Sequence, residues 1–427
     1  MIRFIHAADI HLDSPMRGID SEAAGIDAAV YRSSTREALK NLVDYAIRQD
    51  VHFITLGGDN YDGDWDGYGT GRFFLDQMSR LDKIKVVSIT GNHDAQNRMT
   101  YSLSYPDNFH MLNVENPEVF EVMDGVRIVG QGFKEKEELR NLAEGYPRLE
   151  GGGVKIGLLH TSLDGRATEH RTYAPCNVDD LKRKHYHFWG LGHIHKQGWM
   201  NQSGDAPILF PGNLQGRHSK ETGPKGAYLI ELNDDGSLHS EHFEAMDVSR
   251  WEEVEIDTSK LTQIDELWNE CKSTLKKVYQ DVNPRQLAVR VVMKGQTEIH
   301  QKLIGLKEFG GNKLLQEMQQ QATYAARGKI WVEKVELKTS PNAGAIQVQV
   351  PDFLTSFLNK ECIQEEWIQK FLQDQEALKK KITDVRNESE VSELMSLLEP
   401  DSIRELLREI PEYLEAELVQ KFQNETI

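Results

Sequence analysis

The chain has 427 residues, enough for two or three domains, and its 39% hydrophobic and 28% charged content excludes a disordered or fibrous protein. A net charge of −18 excludes a general coat for nucleic acid, whose phosphates such a surface repels unless basic residues are locally concentrated. Three cysteines, Cys176, Cys271 and Cys362, form no CxxC pair, and no apolar run reaches the roughly 18 residues of a membrane span, so a disulfide framework, a thiolate zinc site and a transmembrane helix are not expected and a reducing cytoplasm is.

Residues 2–7 read as a short strand that ends at a polar loop, Asp9 to Ser14; Asp9 interrupts the apolar stretch too early for a signal-peptide core. Residues 34–48 read as a helix, and VHFITLGGD (51–59) as a buried strand running into a glycine turn. Phe73–Leu81 is expected to be helical. Lys85–Thr90, Val154–Leu159 and His187–Leu191 are expected strands that end at Gly91, His160 and Gly192. Strands alternating with helices argue an α/β core, and residues just past strand ends are where such sheets place their chemistry. Ile208–Phe210, Ala227–Leu232 and Glu241–Phe243 continue the β pattern. The composition shifts near residue 248. Residues 261–279 and 312–323 then read as helices and 287–294 and 329–338 as strands, giving a small α+β second domain. A loop signal, SPNAG (340–344), precedes an acidic helical segment. Residues 351–427 hold 18 acidic against nine basic side chains, half the net charge. There Ile403, Leu406, Leu407 and Ile410 form an apolar stripe between Pro400 and Pro411.

Five segments carry chemistry: Asp9-Ile10-His11, Gly58-Asp59, Gly91-Asn92-His93-Asp94, His160, and Gly192-His193-Ile194-His195. Each is weak alone, but each sits at the C-terminal end of an expected strand, in an order that gathers them on one sheet edge. Imidazole, carboxylate and amide oxygen without thiolate suit manganese, iron or zinc rather than calcium. Two such ions about 3.5–4 Å apart clamp the attacking and leaving oxygens of a phosphoester displacement. Asp59, in its glycine-flanked turn, is the candidate for the carboxylate shared between the ions. Neither a Ser-His-Asp arrangement nor a GxxxxGK[ST] phosphate loop is present. Among the remaining histidines, His52 is expected in the core, His187 is expected to be structural and His185 solvated, and His6 alternates away from the site. Arg166, Arg171, Lys182, Arg183, Lys184, Lys196, Arg217 and Lys220 are basic residues beside the motifs, read either as a solvated face or as DNA contacts.

The order D-x-H, GD, GNHD, H, GHxH resembles the calcineurin-like metallophosphoesterases over residues 1–245. Within them, FIHAADIHLDSP, GGDNYD, ITGNHD, GLLHTSL and WGLGHIH resemble the SbcD-type DNA repair nucleases, and PGNLQGRH (211–218) resembles the YhaO-type branch. The resemblance implies a metallophosphoesterase β-sandwich flanked by helices over residues 1–247. It further implies an α+β domain capping DNA access (248–340), a linker (341–350) and a helical partner-binding segment (351–427). It implies one metal on Asp9, His11, Asp59 and His195, and another on Asp59, Asn92, His160 and His193. His93 would be the catalytic histidine and Asp94 would orient it. Asp62 stands where some relatives carry a histidine, and Arg217 and His218 are candidates for contacting substrate phosphate, as is Asp62 for substrate positioning.

The function expected is an Mn²⁺-dependent DNA nuclease, exo- and possibly endonucleolytic in kind, cytoplasmic and nucleoid-associated, in repair or phage defence; Mg²⁺, Fe and Zn²⁺ fit the same donors. The C-terminal helices would dock on an SbcC-like SMC-type ATPase, and a homodimer is implied. An enzyme of the same fold acting on another phosphoester is the first alternative. The GDxxDRG and GNHE motifs of phosphoprotein phosphatases are not matched, since Gly63 follows Asp62 and Asp94 ends the third motif. A non-catalytic scaffold is the second alternative, against which every expected ligand is present.

Overall fold

A computed structural model describes residues 1–15, 30–31, 33–62, 68–96, 104–163, 172–202, 206–282, 284–307 and 313–342. The helices expected beyond Pro351, nearly all of the linker, and Arg166 and Arg171 lie outside the described residues. In chain order the strands are β1 (Ile2–Ala7), β2 (Phe53–Leu56), β3 (Lys85–Ser88), β4 (Phe109–Met111), β5 (Glu118–Met123), β6 (Val126–Gly130), β7 (Val154–His160) and β8 (Phe188–Gly192). They continue with β9 (Gly198–Asn201), β10 (Ile208–Phe210), β11 (Gly226–Leu232), β12 (Leu238–Ala245), β13 (Ser249–Asp257), β14 (Gln286–Thr297) and β15 (Ile330–Pro341). The helices are α1 (Ser34–Gln49), α2 (Tyr68–Ser79), α3 (Asn92–Gln96), α4 (Val178–Lys182), α5 (Ile264–Val282), α6 (His300–Leu306) and α7 (Lys313–Ala326).

The chain forms two compact units. Among the described residues, the first comprises those of Met1–Val254, Leu275–Arg290 and Ala322–Glu333; the second comprises those of Glu255–Thr274, Val291–Gln321 and 334–342. The first is a mixed α/β structure with two six-stranded sheets, β12-β11-β1-β2-β3-β4 and β5-β6-β7-β8-β10-β9. β1 to β4 are parallel, with β1 and β2 paired Phe4 to Phe53 and Ile5 to Ile54; β6, β7 and β8 are likewise parallel. Ile2 and Phe4 point into an apolar layer shared with Ile156, Leu158 and Phe188 of the other sheet, whereas Ile5 and Ala7 point to the helical side. Both faces of these strands are therefore buried, which is why they read as continuous apolar runs rather than alternating ones. α1 covers the outer face with Ala38, Leu39, Leu42, Val43 and Ala46, an amphipathic stripe, and stops at Asp50 in the left-handed region (φ 48°). Tyr146, Leu181, Tyr186 and Trp189 form a third layer outside the second sheet.

One expectation is corrected here. His52 is exposed, not core: β2 begins one residue later, and His52 Nδ1 accepts the Arg3 backbone N–H at 2.9 Å. The hairpin β5–β6, absent from the sequence reading, turns at Asp124-Gly125, with Gly125 at φ 70°. The first unit also takes in segments from beyond residue 248. Arg285 Nε donates to the Asp247 carbonyl at 2.7 Å, and Trp331 packs edge-on against Trp251 at 5.5 Å, so segments distant in sequence join the first unit.

A third sheet has the order β13-β14-β15. Within the second unit Leu267 and Cys271 on α5, and Leu314 and Met318 on α7, are buried pairs one helical turn apart. No described helix is long and apolar enough to cross a membrane.

Candidate metal centre

Parallel strands of both sheets end at one place in the first unit. Asp9 and His11 follow β1, Asp59 follows β2, Asn92 and His93 follow β3, His160 closes β7, and His193 and His195 follow β8. Tight turns are needed to aim these side chains at one point. Asp9, His11, Asp59 and His193 accordingly lie at φ 52°, 44°, 51° and 100°, a region that L-residues occupy at a cost of roughly 1–3 kcal/mol each. Two loops hold one another there, since the Asp9 and His11 N–H groups donate to the carbonyls of Gly58 and Asp59, both at 3.0 Å. Gly91 is required by crowding: a Cβ there would lie 2.7 Å from His160 Cε1.

Hydrogen bonds fix the tautomers. His160 Nδ1 lies 2.9 Å from the Gly57 carbonyl, which can only accept, so Nδ1 carries the proton and Nε2 presents its lone pair inward. That Nε2 is 3.1 Å from Asn92 Oδ1 and 3.5 Å from Asp59 Oδ2. His195 Nδ1 faces Glu221 Oε1 at 2.6 Å, leaving Nε2 3.2 Å from His11 Nε2. Asp59 Oδ2 is also 3.8 Å from His11 Nε2, so it lies between the two groups of imidazoles. Three overlapping sets bring one donor atom each within 4.8 Å of one another: Asp9, His11 and His195; Asp9, Asp59 and His160; His11, Asp59 and His93.

These residues fit divalent cations. Ring nitrogens with inward lone pairs and two carboxylates are buried together, which is costly unless positive charge neutralises them. Burial, aided by the negative charge of Asp59, pushes the Asp9 carboxyl well up. Burial acts the same way on Asp59, but the neighbouring His160, His93 and His11 outweigh it and hold that carboxyl low. Burial drives His11 down to about 3 and lowers His160 against the opposing pull of Asp59, which favours the neutral, ligating form of each.

His193 falls outside the three converging sets: its N–H donates to Asp9, and its ring packs against His160 at 5.2 Å and Tyr173 at 5.6 Å. His93, with 34% of its side chain exposed, is instead in one of them. The role expected of Asp94 is corrected. Its carboxylate accepts the N–H groups of Gly91, Tyr61 and Asn60 and ties two loops together. The carboxylate against His93 is Asp62, with Oδ1 2.9 Å from Nδ1. Burial lowers the His93 pKa, but the Asp62 hydrogen bond and the Asp59 charge outweigh it, and the net shift is upward. Arg217 is largely buried, 3.9 Å from Asp62 and 3.3 Å from Glu221; His218 is more exposed and 3.5 Å from Glu221. Glu221 was missed. No local spacing marks it, because its partner His195 is 26 positions away. Of the basic residues, Arg183 pairs with Asp180 and Lys184 caps the carbonyls of Glu144 and Tyr146, so both are committed to local structure.

Residues 2–197 match the calcineurin-like phosphoesterase family, and residues 251–340 match the family described as metallophosphoesterase YhaO, middle domain. The chain is 34% identical to the uncharacterized metallophosphoesterase YhaO of Bacillus subtilis (strain 168) over 300 residues, 69% of this chain and 72% of that one. It is 24% identical over 309 residues to the DNA double-strand break repair protein Mre11 of Archaeoglobus fulgidus, covering 66% of this chain and 65% of that protein. Among solved structures it is similar to a dimetal phosphatase from Danio rerio, with a TM-score of 0.34 and 15% identity, covering 54% of this chain and 92% of that one.

Proposed function

Since the chain belongs to the calcineurin-like metallophosphoesterases, in the YhaO family, we propose that this phosphoesterase is an Mn²⁺-dependent nuclease that trims DNA ends. The observation that carries the reading is the convergence of Asp9, His11, Asp59, Asn92, His160 and His195 from five strand ends beside an accessible His93. When bound, two divalent ions would polarise the phosphate and activate water for attack. The donor set, lacking thiolate, suits Mn²⁺. His93 holds its Nδ1 against Asp62 and is partly exposed, so its imidazole is available to protonate the leaving oxygen. Arg217 supplies a cation beside that imidazole for the non-bridging oxygens. The similarity to a break-repair protein supports DNA as substrate. In this reading the enzyme is a cytoplasmic homodimer, and the acidic residues 351–427 dock on an SMC-type ATPase that governs access to DNA.

One observation favours a second reading, a phosphoester other than DNA. Asp62 places a carboxylate, 20% exposed, next to His93, where it repels a polyanionic strand. End-labelled linear double-stranded DNA with Mn²⁺, run beside a chromogenic phosphodiester and monoester, separates the two. DNA should shorten with the wild type and about 10²–10⁴-fold more slowly with His93→Ala. Hydrolysis of the small esters with intact DNA would transfer the assignment to the second reading.

A further inference from the structure

One buried carboxylate outside the ligand set reaches the centre. Glu221 is 6% exposed. Its Oε1 lies 2.6 Å from His195 Nδ1 and 3.3 Å from Arg217 Nη2, and His218 Nε2 is 3.5 Å away. Its Oε2 accepts the Arg217 backbone N–H at 2.7 Å and Asn213 Nδ2 at 2.9 Å. Donors on both oxygens leave the carboxylate little freedom to rotate. Arg217 is tethered in turn by Ser14 Oγ at 3.4 Å. A carboxylate so held can only accept from His195, which puts the proton on Nδ1 and directs Nε2 toward His11 and Asp9.

We propose that Glu221, clamped by Arg217 and Asn213, is a positioning residue of the metal centre: it selects the tautomer and ring orientation of His195 and so sets the affinity of that half of the site for a divalent ion. The inference rests on the dimetal reading but not on DNA as the substrate. Removing an outer carboxylate of this kind typically lowers metal affinity about 10–100-fold. A carboxylate that acted only through its charge would do so at either side-chain length, whereas a positioning carboxylate must reach Nδ1. Glu221→Asp keeps the charge and shortens the reach by one methylene, so it separates the two.

The experiment is calorimetric titration of the metal-free full chain with Mn²⁺, wild type against Glu221→Asp, with ¹⁵N-histidine NMR of the metal-free wild type assigned through His195→Gln. The proposal expects Mn²⁺ affinity at one of two sites to fall about 10–100-fold in Glu221→Asp, and His195 to be the Nδ1–H tautomer. Equal affinity in the two proteins overturns it. Should Glu221→Asp not fold, the tautomer decides: Nδ1–H upholds the proposal and Nε2–H overturns it. A wild type that takes up no Mn²⁺ overturns the dimetal reading and the proposal together, while two wild-type sites unaltered by the substitution overturn the positioning role alone.

Discussion

The histidine expected to give a proton and the carboxylate that holds it came from different motifs. His93 was legible from GNHD, but its partner was assigned to Asp94, the adjacent residue, when the chain brings Asp62 there from another loop. Asp62 also lies 3.6 Å from His11 Nδ1, and these two imidazoles outweigh its burial and hold its carboxyl low, so it stays ionised. An ionised Asp62 raises the His93 pKa above its ordinary 6.5. A general acid must be protonated, so turnover should persist below that raised pKa and fall as pH rises through it. Asp62→Asn removes the charge and should move this alkaline limb of kcat to lower pH, by about one unit or more. A pH–rate profile on a chromogenic phosphodiester checks it; an unmoved limb would assign the shift to Asp59 instead.

The loop after β1 shows how elements carry strain on behalf of a site. Asp9, His11 and Asp13 all have positive φ, an alternation that swings successive side chains to one side. Asp13 is the anchor: its carboxylate takes Arg36 Nε at 2.6 Å and Nη2 at 2.5 Å from α1, and Thr70 Oγ1 at 2.6 Å from α2. Asp13→Asn keeps a residue that tolerates the left-handed conformation but weakens the charge-assisted bonds. It should cost about 1–3 kcal/mol in urea unfolding and loosen Mn²⁺ binding, with the midpoint and a metal titration as the measurements. Most elements here were readable from periodicity and turn residues: α1 was expected at 34–48 and spans Ser34–Gln49, and β14 was expected at 287–294 and spans Gln286–Thr297. The short β4 and the hairpin strands β5 and β6 were not. Glu118, Phe120 and Glu121 remain partly or fully open to solvent, so their mixed polarity gave little period to detect.

Across the whole of the first unit, His6 joins the two sheets. It follows Ile2 and Phe4 on the inward face of β1, and its ring nitrogens meet Thr55 Oγ1 and the Leu191 carbonyl, each at 3.0 Å, against Gly190. Burial takes its pKa from 6.5 down to about 4. The unfolded chain therefore gains a proton first as pH falls, so the stability His6 confers is complete above pH 6.5 and lost progressively toward pH 4, by about 3 kcal/mol. His6→Asn should flatten that part of the pH dependence in denaturant unfolding; an unchanged slope would place the acid sensitivity elsewhere. Residue types at strand ends announced the chemistry because a parallel sheet delivers whatever follows each strand to one edge, and that relation is written in local order. Strand-end order also led to Asp9, His11, Asp59, Asn92, His93, Asp94, His160, His193 and His195 as a group. It could not reveal which carboxylate faces His93, or that Glu221 lies against His195. Those are pairings between residues tens to hundreds of positions apart, set by how two sheets and their loops pack, and no local pattern encodes a distance of that kind.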